Sequence, residues 1–183
     1  PACRRGRVED ENLAKPEPVA ICRLKRVAAD LKDPNEIAAK INRNRKTRSN
    51  GKRIACVGAG PSSLTVARDL APLGYDVTVF DQDPKPGGMI WTQIPRFRLP
   101  ESVIDEEVGY ILNLGVSFKQ RKIESMKALM GEGYDAIFVG SGAPRGRDLD
   151  IPGRKEGAKS IHIGIDWLSS VSFSHTTKIG KRV

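Results

Sequence analysis

The apolar positions of this 183-residue chain change period several times, and each change marks an element. After a polar opening broken by Gly6 and Pro16, Pro18 can sit in the first turn of a helix. Ile21, Leu24, Ala28 and Leu31 then recur at three- and four-residue spacing, which predicts an amphipathic helix of about four turns. Asp33-Pro34 reads as the cap and first turn of a shorter helix carrying Ile37, Ala38 and Ile41. Residues 54–57 are a short, partly β-branched apolar run, the composition of a buried parallel strand. Helical spacing returns over 64–73 (Leu64, Ala67, Leu70 and Leu73), with Gly74 where a C-cap belongs, and residues 77–80 form a second strand closed by Asp81.

The stretch 82–100 behaves differently. Pro84, Pro86, Pro95 and Pro100 with Gly87-Gly88 exclude a regular element, yet Met89, Ile90, Trp91, Ile94 and Phe97 are too apolar for an idle surface loop. Such a segment is either a wall folded over a bound cofactor or a loop packed on the core alone. A helix follows over 101–114, then a strand at 116–118, a short helix over 123–130 and a buried strand at 136–139. The last runs into a second glycine turn, Gly140-Ser141-Gly142-Ala143, and residues 160–163 are expected as one more strand. Strands alternating with helices predict an α/β domain with a parallel sheet.

Within that pattern, residues 51–81 carry chemistry. Strand, Gly58-Ala59-Gly60-Pro61-Ser62-Ser63, helix, strand and terminal Asp81 form a dinucleotide fingerprint in its required context. Gly58 permits the tight turn, and Gly60 lets a pyrophosphate approach the backbone. The first N–H groups of the helix offer unpaired donors and the positive end of its dipole. Asp81 can accept hydrogen bonds from a ribose diol. Ser63 stands where the pattern has its third glycine. It is small enough for helix–strand packing, and its hydroxyl is a further candidate phosphate ligand.

Composition narrows the classes. The net charge of +9 is concentrated: residues 1–53 hold 15 Lys and Arg against 7 Asp and Glu, and the rest are nearly balanced. Arg43, Arg45, Lys46, Arg48, Lys52 and Arg53 form a run uninterrupted by acid. That run reads first as a solvated linker, next as a face for an acidic partner, and last as a nucleic-acid contact, since no aromatics interleave to stack on bases. No apolar run approaches the ~20 residues of a membrane span, and no secretory leader is apparent. Cys3, Cys22 and Cys56 form no CxxC pair, so a reduced, cytoplasmic setting is expected, with Cys56 a small core residue. His162 and His175 are isolated and read as ordinary polar residues. The chain opens on Pro1 without an initiator methionine, and a trimmed chain is expected.

GKRIACVGAGPSSL, VTVFD, GGMIWTQIPRFRLP and YDAIFVGSGAP, in this order and spacing, resemble the small subunit of glutamate synthase and its relatives. Those relatives include the amino-terminal part of dihydropyrimidine dehydrogenase and the large subunit of NADH-dependent ferredoxin:NADP oxidoreductase. The likeness runs from about residue 17 onward. It implies a Rossmann-like FAD-binding domain over residues 51–183, the first half of a two-dinucleotide-binding-domain flavoprotein. Residues 1–50 would be a short helical segment and basic linker, the tail of an iron–sulfur or helical domain. Gly180-Lys181-Arg182-Val183 repeats the opening of the first nucleotide strand, so an NAD(P)H-binding domain would begin there.

By the same resemblance, Gly58, Ala59, Gly60, Pro61, Ser62 and Ser63 would hold the FAD pyrophosphate and Asp81 the adenosine ribose. Gly88 and Met89 would line the flavin, Arg98 would contact the cofactor, Ile123 would offer a backbone contact, and Gly142 would pass near the dinucleotide. Cys3 matches only the tail of the family's iron–sulfur pattern, and one thiolate cannot build a cluster. Disulfide reductases of the same superfamily carry a cysteine pair after the position of Gly87-Gly88, and none follows here. The implied activity is electron transfer between NAD(P)H, FAD and an iron–sulfur or ferredoxin-like partner subunit in a hetero-oligomeric complex. The final acceptor could be glutamate synthase, ferredoxin or an aldehyde- or oxoacid-oxidising complex. No acid–base residue is nominated. Three other readings stay open: a non-catalytic nucleotide-binding scaffold, a plain NAD-dependent dehydrogenase, and, last, a nucleic-acid module.

Overall fold

The computed structural model of the chain describes residues 3–44 and 48–182, with the side chains of residues 34, 38, 42 and 44 outside that set. Arg45, Lys46, Val183 and the side chain of Ala38, all used in the sequence reading, therefore lie outside the described residues. The chain forms two compact units, residues 1–40 and residues 41–183.

In the first unit a 3-10 turn, Arg4–Arg7, is followed by a loop in which the Asp10 carboxylate accepts from the amides of Asn12 and Ala14. Helix α1 (Ile21–Asp30) is shorter than the periodicity predicts. It starts at an Ala20 N-cap, leaves Pro18 outside, and ends at Leu31. Helix α2 (Pro34–Asn44) begins as expected after Asp33, whose carboxylate accepts from the Asn35 amide.

The second unit is built on four parallel strands. Strand β1 (Arg53–Val57) leads through the glycine turn into α3 (Pro61–Leu70), and β2 (Asp76–Asp81) follows. Gly60 caps α3 and Pro61 occupies its first turn, where a missing N–H costs nothing. The helix tightens into a 3-10 turn at Ala71–Leu73 and stops at Gly74, which takes the left-handed conformation (φ 90°). Next come α4 (Met89–Gln93), α5 (Glu101–Leu112), β3 (Ser117–Gln120), α6 (Met126–Met130), β4 (Ala136–Val139) and α7 (Gly164–Ser172). The sheet order is β3-β2-β1-β4, with Cys56 opposite Val79 on one side and Phe138 on the other.

Alternation along the strands sends side chains to two cores. Ile54, Cys56, Val77 and Val79 meet Ala67, Ala71, Leu114 and Val116 on the side covered by α3. Ala55, Val57 and Phe80 meet Leu129 on the other. A third cluster, Leu64, Trp91, Ile104 and Val108, joins α3 and α5 through the loop that carries Trp91. Cys56 is fully buried, and desolvation raises its thiol pKa to about 11, as suits an inert core residue.

Two expectations are corrected. Residues 82–100 do contain a regular element, because the prolines leave 87–94 free and α4 forms there on a Gly88 N-cap. Residues 160–163 make no strand. Ile163 lies against Gly146 and is half-buried, while Ile161 lies beside Gly157 but stays exposed, and among the described residues the run has no sheet neighbour to pair with. The short helix after β3 is also confined to Met126–Met130, where the Ser125 hydroxyl accepts from the Ala128 amide. Among the described residues, no helix is long and apolar enough to cross a membrane.

The lower end of the sheet is tied by Asp135. One carboxylate oxygen accepts from the Arg53 amide at 2.8 Å, and the other pairs with Lys52 Nζ at 2.8 Å. The Lys52 ammonium, with the Arg53 amide second, holds this carboxyl below its ordinary value. A depressed carboxyl stabilises the fold above its unfolded pKa and loses that contribution as pH falls through the folded one. Asp135→Asn should therefore lower Tm by about 2–4 °C at pH 7. Melts repeated at falling pH should show the gap closing only below the usual aspartate range.

Candidate nucleotide site

Three glycine-containing turns converge at the carboxyl end of β1. Gly58 leaves the strand with φ 92°, and its amide donates to Phe80 O on β2 at 2.7 Å. A Cβ at this position would lie 2.4 Å from Gly140 O, so the turn closes against β4 only if position 58 has no side chain. Gly140 is equally constrained, because a Cβ there would meet Ser63 Oγ at 2.3 Å and Ser62 Oγ at 2.9 Å. From the third turn, the Gly87 amide donates to Ala59 O at 2.8 Å, and Gly88 (φ 55°) presses to within 2.8 Å, by its would-be Cβ, of Gly60 Cα. Gly60 itself has open space where a side chain would be. The result is bare backbone facing outward at the start of a ten-residue helix, the arrangement that accepts a phosphate.

Asp81 ends β2 beside this backbone. One carboxylate oxygen accepts from the Ala59 amide at 2.6 Å and the other from the Asp83 amide at 3.0 Å. Each oxygen has a second lone pair, so the group can shape the glycine turn and still accept from a diol. Asp83 stands next to it, and its carboxyl is raised above the ordinary value by burial and then by the Asp81 charge.

The other nominated residues fall into distinct places. Ala59 is fully buried, Pro61 and Ser62 are exposed, and Met89, 43% exposed, stands at the head of α4 next to Gly88. Arg98 is exposed on the FRLP loop, and Gly142 (φ 70°) lies on the exposed turn after β4. Ile123 has its side chain in the Phe80–Leu129 core. Cys3 belongs to the first unit, where the backbone near Val19 and Arg5 lowers its thiol pKa. Among the described residues no three His, Cys, Asp or Glu side chains cluster as metal ligands would.

Ser63 is fully buried with its hydroxyl against Gly140, and that hydroxyl has no hydrogen-bond partner among the described residues. The exposed hydroxyl of the turn is that of Ser62. The sequence reading also missed the fit of Gly140 into α3. The doubled serine at 62–63, facing a glycine turn, was the available signal. A separate groove of about 1010 Å³ is lined by Lys159, His162, Asp166, Trp167, Thr176 and Lys178 among others, and includes none of the glycine-turn residues.

The parallel sheet, the glycine turn and the terminal acid define a Rossmann-like nucleotide-binding unit. Residues 56–117 match the family described as NAD(P)-binding Rossmann-like domain. Over 157 residues it is 36% identical to the NAD-dependent dihydropyrimidine dehydrogenase subunit PreT homolog of Salmonella typhi, covering 83% of this chain and 36% of that protein. It is 32% identical to the NADPH-Fe(3+) oxidoreductase subunit beta of Geobacter sulfurreducens (strain DL-1 / KN400), over 99% of this chain and 26% of the relative. It is 30% identical to the glutamate synthase [NADPH] small chain of Bacillus subtilis, over 68% of this chain and 26% of the relative. The chain thus spans about a quarter to a third of the length of these curated relatives.

Two outcomes follow from this geometry. Gly140→Ala should cost about 1–3 kcal/mol, the usual penalty of overpacking. Because Ser63 Oγ is the nearest obstacle, Ser63→Ala should recover part of the loss in a double-mutant cycle read by urea denaturation. Asp83 has the opposite sign to Asp135. A raised carboxyl is favourable while protonated, and that contribution is lost as pH rises through the folded pKa. Asp83→Asn should therefore raise Tm by about 1–3 °C at pH 7, with the gain gone at pH values where wild-type Asp83 is protonated.

Proposed function

We propose that this segment holds the FAD of an NAD(P)H-dependent oxidoreductase subunit of the glutamate synthase small-subunit kind. The observation that carries the reading is the meeting of Gly58, Gly60, Gly88 and Gly140 beside Asp81. That cluster leaves unobstructed backbone at the N-terminus of α3, with a carboxylate in reach of it. Gly60 and the amides of Ser62 and Ser63 would face the pyrophosphate, with the Ser62 hydroxyl as an additional donor. Ala59 and Pro61 shape the turn. Asp81 would accept from the adenosine ribose through its remaining lone pairs. Gly88 and Met89 would border the flavin, with Arg98, the Ile123 backbone and Gly142 further along the dinucleotide.

When bound, a flavin takes a hydride from a nicotinamide and passes electrons on singly. The contribution of this chain would be to bind and orient it: backbone donors neutralise the phosphates, and the α4 loop limits water access from one side. The nicotinamide site would lie in a following domain. Residues 1–50 would be the tail of an iron–sulfur or helical domain, Cys3 being a ligand only with residues beyond this chain. The partner would be an iron–sulfur or ferredoxin-like subunit of a cytoplasmic complex, met by the basic leading segment of the chain.

A second reading has its own support. The matched family is described as NAD(P)-binding, which favours a dehydrogenase with NAD at the same turns. Acid release of the nucleotide from the complete purified protein separates the two. FAD is expected, together with bleaching of its 450 nm band on addition of NADH or NADPH. NAD alone would install the dehydrogenase reading, and FAD that neither nicotinamide bleaches would leave a scaffold.

A further inference from the structure

We propose that Lys85, Trp91 and Arg96 form a clamp that holds the Gly87-Gly88 turn against the nucleotide turn, making Trp91 a positioning residue for the bound nucleotide. The inference rests on the FAD reading above. The loop between β2 and α5 is long and proline-rich, and it would be poorly fixed by backbone pairing alone. Both of its arms converge on one indole. Lys85 Nζ, ahead of the double glycine, lies 4.1 Å from the Trp91 ring centroid, and Arg96 Cζ, beyond α4, lies 4.6 Å from it. Each cation is also anchored to α5: Lys85 to Asp105 at 3.5 Å and Arg96 to Glu101 at 2.9 Å. Arg96 further donates to Trp91 O at 2.8 Å and to Ile94 O at 3.2 Å.

The indole in turn fixes the glycines. Trp91 is 2% exposed within the Leu64–Ile104–Val108 cluster, its amide donates to Gly88 O at 2.9 Å, and its Cβ closes on Gly87. Gly87 and Gly88 are the residues that touch Ala59 and Gly60. A displacement of the ring by a fraction of an ångström is therefore passed directly to the backbone that faces the pyrophosphate.

Packing alone would not select this residue. Among the described residues the Trp91 Nε1 proton has no hydrogen-bond partner, and a buried orphan donor is destabilising. An aliphatic side chain such as leucine would carry no orphan donor, though it would fill less of the cluster. What tryptophan adds is the aromatic face that attracts cations most strongly. Phenylalanine would keep a π face and remove the orphan donor, so it separates the π contribution from the packing.

The test uses the complete polypeptide that carries these residues, with FAD titrated into the apoprotein and deuterium exchange followed at the Gly87 amide. Trp91→Leu should weaken FAD binding about tenfold, Lys85→Met or Arg96→Met about threefold to tenfold each, and Trp91→Phe less than threefold. Exchange at Gly87 should accelerate in the Leu and Met variants and hold near wild type in Trp91→Phe, while amides of β2 stay protected throughout. If Trp91→Leu matches wild type in both readouts, or Trp91→Phe is as impaired as Trp91→Leu, the clamp is wrong. If wild type binds no FAD, the functional reading fails, and the Gly87 exchange alone decides the clamp.

Discussion

The contact on which the second unit depends is the close approach of two backbones, Gly58 and Gly140. Parallel strands β1 and β4 end side by side, and the turns that follow have no room for a methyl group between them. This single steric condition sets where α3 begins, because Gly140 also receives the hydroxyls of Ser62 and Ser63. The start of α3 in turn sets where its unpaired amides point. Fold and ligand geometry are thus determined by the same few atoms.

From that contact the rest is layered outward. β2 joins the turn through Phe80 O and the Asp81 carboxylate, and the double glycine closes from the far side onto Ala59 and Gly60. α5 then supports the double glycine at second hand, through carboxylates that anchor two cations on one buried ring. The order of dependence runs from backbone sterics to polar pairing to packing. None of the three layers is replaceable by another, since a side-chain contact cannot restore a turn that a Cβ has opened.

Much of this was legible in the sequence, and the divide is physical. The strand runs at 54–57, 77–80 and 136–139 are encoded by local composition and form where expected, and the helix expected over 101–114 forms as Glu101–Leu112. The glycine turn and Asp81 are read from spacing because their roles are backbone roles. Ile161 and Ile163 misled because apolar alternation does not say which surface will cover it, and here Ile161 is left exposed. At Ser63, small size and a hydroxyl serve packing and ligation alike, and sequence spacing shows neither its burial nor its fit against Gly140. The convergence of Lys85 and Arg96 on Trp91 spans a loop with no repeat, so no periodicity could announce it.

The engagement of Asp81 bears on how variants of this chain are interpreted. Its carboxylate accepts from Ala59 and Asp83 before any ligand arrives, so the acid is part of the turn's own scaffolding. Removing it releases the Ala59 amide as well as any contact the acid would make to a ligand. Loss of affinity in such a variant measures the cost of rebuilding the turn as well as the missing contact. An isosteric amide does not cure this, because Asn offers one acceptor where the two backbone amides need two. An exchange at this acid is therefore also a change to the backbone between β1 and α3, whatever else it alters.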